Sequence, residues 1–352
     1  MMKLTHGGDI YSYKEKYKEE ALDYSANINP LGMPRGVKQA LINSIDTWVN
    51  YPDPLCRELK KELAHFEKVK EDYLVLGNGA AEVIFKLIYA AKPKKAMVLA
   101  PTFSEYEEAL KSVNAEVFYH YLKEENNFRL TEDILGALNE DLDMIFICNP
   151  NNPTGEITEK DLLVKVMAEC KQKGIILVLD ECFNDFLDEP VEHTMKEVLS
   201  DNDHLFILKA FTKIYAMAGV RLGYGLTSNL ELINEMAKTC QPWSVSIPAQ
   251  IAGIQALKEE EYLKATKVLI KEEREYLISN LKELGFKVYG SKANYIFFSS
   301  SNDNLKAKLE KQGIMIRDCS NYPGLKAGYY RICVKTHQDN ERLINALKAV
   351  RG

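Results

Sequence analysis

Two basic side chains lie eight residues apart after an apolar run, in AFTKIYAMAGVRLGY (residues 210–224). Lys213 follows a predicted strand end, and Arg221 lies in a stretch flanked by glycines. A lysine amine can form a Schiff base with a carbonyl compound, and a guanidinium group can bind an anion. Taken alone, the pair could also be a solvated lysine and an arginine that pairs with a carboxylate.

Three further segments place polar or small residues after predicted strands. NPNNPTG (149–155) is a rigid turn that offers amide donors and acceptors, although it could also be a plain turn. VLDECF (178–183) puts Asp180 and Glu181 at the end of a buried strand, where an acid requires a cationic partner such as a protonated pyridine nitrogen. GNGAAE (77–82) lacks the dinucleotide fingerprint G-x-G-x-x-G, but it leads into a helix whose free N–H groups suit a phosphate.

Seven short apolar runs between residues 72 and 226 must position these side chains. Several of them lack polar alternation and end at Gly, Pro, Asn or Asp, which is typical of strands covered by helices on both faces, so the sequence predicts an α/β fold with a mainly parallel seven-stranded sheet. Ligand sites in such sheets lie beyond the carboxyl ends of the strands. Asn78, Phe103, Asn149–Asn152 and Asp180 all follow strands. The runs are YLVLGNG, KAMVLAPTF, AEVFYHYL, DMIFICNP, IILVLDE, LFILKAF and GVRLGYGL.

The pattern changes after residue 247. A long amphipathic helix is predicted from Pro248 to Leu284, followed by the strand-like KVYGSKANYIFF, another helix, the strand-like YYRICV and a closing helix. This order predicts a small α+β domain. The N-terminal stretch containing SANINPLG is too short to fold alone, so we expect it to pack on that domain. We therefore predict a large domain over 46–247 and a small domain over 1–45 and 248–352.

Composition and charge narrow the classes of partner. The chain of 352 residues has a net charge of -6, and its basic residues alternate with acids, so bulk attraction to nucleic acid or an acidic membrane is not expected. Its seven cysteines include no C-x-x-C pair, which predicts neither a metal site nor a disulfide framework. No segment approaches the ~20 apolar residues that span a bilayer, and the N-terminus lacks a signal-type apolar stretch. We expect a cytoplasmic protein.

In this order and spacing, the segments resemble the fold-type I pyridoxal 5'-phosphate (PLP) enzymes of the aminotransferase class I and II family, along essentially the whole chain. The resemblance implies the aspartate aminotransferase fold and PLP as cofactor. It implies that Lys213 carries the cofactor as a Schiff base and that Asp180 keeps the pyridine nitrogen protonated, so that the ring draws electrons. Asn152 would hydrogen-bond to the ring 3-hydroxyl, and Phe103 would stack on the ring.

The same resemblance implies how the cofactor phosphate is held. Tyr51 of NYPDP would reach it from the neighbouring subunit, which implies a homodimer. The remaining ligands would be Arg221 and the backbone N–H groups of Gly79, Ala80 and Ala81.

Two positions depart from the family pattern. Ala210 stands where a Ser or Thr usually binds the phosphate, so a hydrogen bond worth ~1.5–3 kcal/mol is missing unless Thr212 or water supplies it. Phe183 stands where many aminotransferases have a Tyr that bonds to the 3-hydroxyl, which leaves that group to Asn152 alone.

Within the family, other segments resemble the L-threonine O-3-phosphate decarboxylases of cobalamin biosynthesis. The resemblance implies formation of (R)-1-amino-2-propanol O-2-phosphate, with Arg331 holding the substrate carboxylate and Asn152 close to both ends of the substrate. The phosphate end would be defined by His6, Gly7, Asn27 and Arg317. The segments are THGGDI (5–10), DYSANINPLGMP (23–34), NNPTG (151–155), PWSV (242–245) and IRDCSNYPGL (316–325).

Several alternatives stay open from the sequence. Histidinol-phosphate aminotransferases share the PLP motifs, so transamination is the second hypothesis. A PLP-fold protein that only binds a ligand is a third, although it would not need Lys213, Asp180 and two substrate arginines together. His6 could be a frayed N-terminal residue, but the glycines after it favour a ligand role. L-Serine O-phosphate differs by one methyl group, worth only ~1–3 kcal/mol of discrimination, and could also be accepted.

Overall fold

The structure, a computed structural model, describes residues 6–301 and 304–351. Thr5 of THGGDI therefore lies outside the described residues. The strands are β1 (Leu22–Asp23), β2 (Leu74–Gly77), β3 (Lys95–Ala100), β4 (Glu116–Tyr121), β5 (Met144–Cys148), β6 (Ile176–Asp180), β7 (Leu205–Ala210), β8 (Gly223–Leu226), β9 (Lys287–Tyr289), β10 (Tyr295–Ser299), β11 (Ile314–Met315), β12 (Arg317–Asp318) and β13 (Tyr329–Cys333).

Helices connect these strands. They are α1 (Ile10–Tyr17), α2 (Arg35–Asn43), α3 (Arg57–Glu67), α4 (Gly79–Ala91), α5 (Glu105–Ser112), α6 (Asp133–Ala137), α7 (Lys160–Lys173), α8 (Pro190–His193), α9 (Phe211–Ile214), α10 (Leu230–Thr239), α11 (Ile247–Ala256), α12 (Glu260–Glu283), α13 (Leu305–Glu310) and α14 (His337–Arg351). Short 3-10 helices span Ile45–Val49, Glu71–Tyr73, Glu124–Asn126, Asn184–Phe186 and Lys196–Asp201.

The large sheet has the strand order β2-β8-β7-β6-β5-β3-β4. Only β8 runs antiparallel to its neighbours, β2 and β7, and the other pairings are parallel. Alternate residues of β5 face two different core clusters, with Ile145 in one and Phe146 in the other. Burial on both faces explains the unbroken apolar runs. The predicted α/β fold and its mainly parallel seven-stranded sheet are confirmed.

A second, antiparallel sheet has the order β12-β13-β10-β9. The strand-like KVYGSKANYIFF segment forms two of its strands, β9 and β10, joined by a turn. The N-terminal segment contacts this part of the chain, because Leu22 of β1 pairs with Ile314 of β11 and the Tyr13 hydroxyl donates to the Glu310 carbonyl at 2.9 Å. The boundaries of the two proposed domains stay predictions.

The single helix predicted from Pro248 to Leu284 is wrong, since the structure has two helices, α11 and α12, with a break over 257–259. Helix α11 begins at Ile247, where the Ser246 hydroxyl caps it by accepting from the Ala249 N–H. The two helices differ in the size of the side chains that they bury. Helix α11 buries small residues, and one of them is Gly253, where a Cβ would collide with Leu222. Helix α12 buries larger side chains. In the described ranges, no helix has the length and apolar character needed to cross a membrane.

Candidate active site

A cavity of about 490 Å³ opens at the carboxyl ends of the parallel strands. It brings together most of the site residues predicted from the sequence, although these come from distant parts of the chain. The predicted residues that line it are His6, Gly7, Asn27, Ala80, Ala81, Phe103, Asn152, Asp180, Thr212, Lys213, Arg221, Arg317 and Arg331.

Lys213 lies on α9, the short helix that follows β7. Asn29 fixes this helix, because its backbone N–H donates to the Lys213 carbonyl at 3.2 Å and its side chain donates to the Ile214 carbonyl at 2.7 Å. Enclosure in the cavity and, to a smaller extent, the charge of Arg331 together lower the pKa of Lys213 to about 8. The amine is thus more easily deprotonated than an ordinary lysine, which suits a nucleophile or a proton carrier.

Asp180 lies at the end of β6 and is buried. Burial raises the pKa of this carboxyl, while the Cys182 N–H and the Tyr106 hydroxyl donate to its two oxygens. Within the described part of the chain, Asp180 forms no salt bridge. A cation that enters the cavity would therefore gain a buried, already oriented carboxylate as its partner.

Glu181, the second acid of VLDECF, does not line the cavity. Its carboxylate accepts hydrogen bonds from the Thr194 hydroxyl at 2.7 Å and from the Met195 N–H at 3.0 Å. Burial raises its pKa to about 7. Of the acidic pair, only Asp180 is placed for chemistry in the cavity.

An anion cradle forms where α4 begins. Gly79 has φ +81°, and a Cβ there would collide with the guanidinium group of Arg221. A Cβ on Gly223 would likewise collide with the Ala80 backbone. The two glycines therefore let the arginine lie against the helix start, next to the free N–H groups of Ala80 and Ala81. Gly79 borders this cradle without lining the cavity itself.

Arg317 of β12 and Arg331 of β13 are direct partners across antiparallel strands. Arg331 is buried and donates to the Asn152 side-chain oxygen and, at 2.6 Å, to the Ser25 carbonyl. Arg317 donates to the Asn321 side chain at 2.8 Å. Like charges opposite each other on two strands repel. Both side chains line the cavity, so the pair is suited to binding anionic groups there.

The N-terminal segment forms one rim of the cavity. The His6 ring lies 5.8 Å from the Phe103 ring, and its Nε2 lies 2.7 Å from a carboxylate oxygen of Glu105. Gly7 passes so close to Ser25 that a Cβ would collide with the Ser25 carbonyl. The side-chain amide of Asn27 is buried and has no hydrogen-bond partner among the described residues, which leaves it available to a ligand.

Tyr51, unlike Gly79, does not border the anion cradle or line the cavity of this chain. The residue is 79% exposed, and its ring stacks on Trp243 at a centroid distance of 4.7 Å. The idea that it reaches the cofactor phosphate of a neighbouring subunit stays a prediction.

Other cavity residues were missed by the sequence reasoning. Glu105 follows Phe103 closely in PTFSEY, and Tyr322 lies in the SNYPGL run, so their segments were identified although their side chains were not. Cys182 directly follows the acidic pair and was missed as well. Phe183 and Ala210, the two positions that depart from the family pattern, and the predicted Thr212 also line the cavity, so Thr212 is close enough to contact a ligand there.

Comparison with known proteins identifies the chain. The profile of the family described as Aminotransferase class I and II matches residues 19–347. The chain belongs to the aminotransferase class I and II family. It is therefore a PLP-dependent enzyme with the PLP-dependent transferase fold.

Three similar proteins show which activities are found among the relatives of this aminotransferase-family enzyme. It is 39% identical to the threonine-phosphate decarboxylase of Salmonella typhimurium, over 98% of this chain and 96% of the relative. It is 31% identical to the adenosylcobalamin biosynthesis bifunctional protein CobDQ of Leptospira interrogans, over 98% of this chain and 41% of that protein. The crystal structure of the histidinol-phosphate aminotransferase from Clostridium acetobutylicum superposes with a TM-score of 0.88 at 32% identity, covering 93% of this chain and 98% of that one.

The cavity of this aminotransferase-family enzyme fits PLP. Asp180 supplies a buried carboxylate without a salt-bridge partner in the described residues, as a protonated pyridine nitrogen requires. At another part of the wall, Arg221 and the start of α4 form an anion cradle that glycine backbones keep open. Lys213 lies in the same cavity with a lowered pKa. The described ranges contain no group of three His, Cys, Asp or Glu residues placed to hold a metal ion.

Proposed function

We propose that this enzyme decarboxylates L-threonine O-3-phosphate to (R)-1-amino-2-propanol O-2-phosphate in cobalamin biosynthesis. The observation that carries the proposal is the cross-strand pairing of Arg317 and Arg331 at the wall of one cavity. Two adjacent guanidinium groups fit a substrate with two anionic groups, one carboxylate and one phosphate. The similarity to a threonine-phosphate decarboxylase over nearly the full length of both chains supports the same substrate.

The proposed roles follow the positions of the side chains. Arg331 holds the substrate carboxylate, and Asn152 is oriented by its hydrogen bond with Arg331. Arg317, His6 and Asn27 hold the substrate phosphate, while Gly7 keeps the N-terminal segment close to the site. Phe103 packs against the cofactor ring and Asn152 donates to its 3-hydroxyl. The ligands of the cofactor phosphate are Arg221, Thr212 and the N–H groups of Gly79, Ala80 and Ala81, with Tyr51 from the neighbouring subunit.

The reaction breaks the bond between Cα and the carboxylate, releases carbon dioxide and adds a proton at Cα. When bound, PLP supplies a ring that accepts the electron pair of the broken bond. Asp180 would keep the ring nitrogen protonated, so that the ring stays electron-withdrawing. Which Cα bond is broken would depend on the orientation in which the site holds the substrate. Arg331 and Arg317 would set which bond this is by fixing both ends of the substrate. Lys213, whose pKa is about 8, is placed to deliver the proton to Cα.

A second candidate is histidinol-phosphate transamination. It is favoured by the similarity to the Clostridium acetobutylicum aminotransferase. Its amino donor, histidinol phosphate, has a phosphate but no carboxylate, whereas its acceptor, 2-oxoglutarate, has two carboxylates that the paired arginines could bind. The identity of 39% to the threonine-phosphate decarboxylase, against 32% to this aminotransferase, favours the decarboxylase.

The deciding experiment incubates the PLP-loaded enzyme with L-threonine O-3-phosphate without a keto acid and follows carbon dioxide and the phosphorylated amine. Release of both in equal amounts supports the proposal. Absence of release, together with amino transfer from histidinol phosphate to 2-oxoglutarate, would support the aminotransferase instead. L-Serine O-phosphate, assayed in parallel, measures what the extra methyl group contributes to selection.

We also propose that the enzyme is a cytoplasmic homodimer. Several large apolar side chains that are exposed on this chain lie close to Tyr51 in the sequence, and one more, Trp243, stacks on its ring, which supports a contact with a second copy. They are Ile42, Ile45, Trp48, Val49, Leu55 and Trp243. All seven cysteines are free thiols, which suits a reducing compartment.

A further inference from the structure

Tyr106 connects two walls of the cofactor cavity. It lies in the first turn of α5, is fully buried, and its hydroxyl donates to the Oδ2 atom of Asp180. Its ring meets the Phe103 ring edge-on at 5.5 Å and an interplanar angle of 81°. The same ring stacks on Phe146 of β5 at a centroid distance of 4.8 Å. The side chain thus touches the acid at the cavity wall and the aromatic ring that lines the cavity.

The hydrogen bonds of Asp180 are divided between its two oxygens. The Cys182 N–H occupies Oδ1 at 2.9 Å, and the Tyr106 hydroxyl occupies Oδ2. Burial works against a charged carboxylate, whereas donated hydrogen bonds stabilise it. Removing the phenol hydroxyl would leave one oxygen of a buried carboxylate without this donor. Tyr106→Phe removes the phenol donor and leaves the backbone N–H of Cys182 in place, so this substitution tests the contribution of the phenol to the acid.

We propose that Tyr106 is a positioning residue for the cofactor, acting through Asp180 on the ring nitrogen. By donating to Oδ2, the phenol keeps the carboxylate ionised and aimed into the cavity, where it pairs with the protonated pyridine nitrogen. Packing against Phe146 and Phe103 fixes the phenol and couples its position to the aromatic ring that lines the cavity. This inference depends on the PLP site and not on which substrate the enzyme uses.

The test is the affinity of the cofactor-free, full-length protein for PLP and for 1-deazapyridoxal 5'-phosphate, which has carbon in place of the ring nitrogen. In Tyr106→Phe we expect the PLP dissociation constant to rise about tenfold to a hundredfold, the loss of one hydrogen bond to a charged group. Affinity for the deaza analogue should change less than about twofold. The matched control is Tyr262→Phe, because the Tyr262 hydroxyl donates to the Gly32 carbonyl away from the cavity. It should leave both affinities unchanged.

Equal losses for PLP and the deaza analogue would overturn the proposal, since the phenol would then act by packing alone. An unchanged PLP affinity would overturn it too. A second test uses the Asp180→Asn variant as the background. There, Tyr106→Phe should change the affinity for PLP less than about twofold, because the carboxylate through which the phenol acts is absent. Additive losses in the double variant would contradict a route through Asp180.

Discussion

The Nε2 atom of His6 lies 2.7 Å from the Oε1 atom of Glu105, at the rim of the candidate active site. Glu105 therefore holds the imidazole that we assign to the substrate phosphate. We expect Glu105→Ala to raise KM for L-threonine O-3-phosphate about two- to fivefold with little change in kcat, because a partly exposed pair contributes roughly 0.2–1 kcal/mol. Glu108→Ala, on the exposed face of the same helix, is the control. Steady-state kinetics that show a falling kcat at constant KM would contradict this role.

Lys213 should make the cofactor-free protein less stable than a variant with Met at this position at neutral pH. Its pKa of about 8 lies below the ordinary 10.5, so the unfolded chain binds the proton more tightly than the folded one. As pH rises from about 8 to 10.5, the free energy of unfolding of the wild type should increase by on the order of 2–3 kcal/mol relative to that of Lys213→Met. Urea unfolding at several pH values measures the difference. If the difference in free energy of unfolding between the two proteins does not change with pH, the pKa of Lys213 is not lowered in the folded protein. The variant should also lose turnover and visible cofactor absorption.

Arg331→Lys should lower kcat/KM for L-threonine O-3-phosphate about a hundredfold, because an ammonium group cannot reproduce the fork that meets Asn152, Ser25 and a carboxylate. Arg274→Lys is the matched control. Arg274 is also buried, but it bonds to the Lys292 carbonyl outside the cavity. The Arg274→Lys variant should have a lower free energy of unfolding and a kcat/KM within about twofold of the wild-type value. Similar activity losses in both variants would indicate a structural effect only.

Glu67 should be important for stability. Burial would raise the pKa of its carboxyl, but the Lys209 ammonium at 2.9 Å and the Lys196 ammonium outweigh burial and lower it to about 2. The stabilisation is present above the unfolded value near 4.5 and is lost as pH falls toward 2. Glu67→Gln should cost about 3 kcal/mol or more in urea unfolding at pH 7 and weaken this acid dependence.

The exposed pair of Glu197 with Lys160 provides the comparison for that variant. Glu197→Gln should change the free energy of unfolding by less than about 1 kcal/mol. If the two substitutions cost the same, the buried network near β7 contributes no more than a surface pair.

Val49→Asp should convert the proposed dimer into monomers. Val49 is 88% exposed beside other apolar side chains, and a carboxylate there would be buried without a partner on association. Light scattering after gel filtration measures the mass. The monomer should also bind PLP more weakly, because it would lack the neighbouring Tyr51. A mass and PLP affinity equal to wild type would contradict both assignments.

The sequence was sufficient to predict the large sheet because its central strands, such as β5 and β7, are buried on both faces and leave continuous apolar runs. Every one of the seven runs contains a strand, from Leu74–Gly77 to Gly223–Leu226. The break between α11 and α12 could not be predicted in this way, since both halves have helical periodicity. Contacts between Gly253 and the side chains of Leu59 and Leu222 distinguish them, and such contacts exist only in the folded chain.

The candidate site shows a similar limit. Motif order identified the segments that contain Lys213, Asp180 and Arg221. The direct pairing of Arg317 with Arg331 depends on strand register, which the thirteen residues between them do not determine. Nor does the sequence distinguish Tyr106 from the many other tyrosines, because its role arises from a contact with an acid 74 residues away.

The parallel pairing of β1 with β11 gives the enzyme an order of assembly during translation. All strands of the large sheet have been synthesised once Leu226 is made, so the walls that carry Lys213 and Asp180 can close first. Strand β1, which is made before the strands of the large sheet, has no strand partner until Ile314 emerges. A ribosome-bound chain would therefore acquire a cofactor pocket before it can recognise an amino acid.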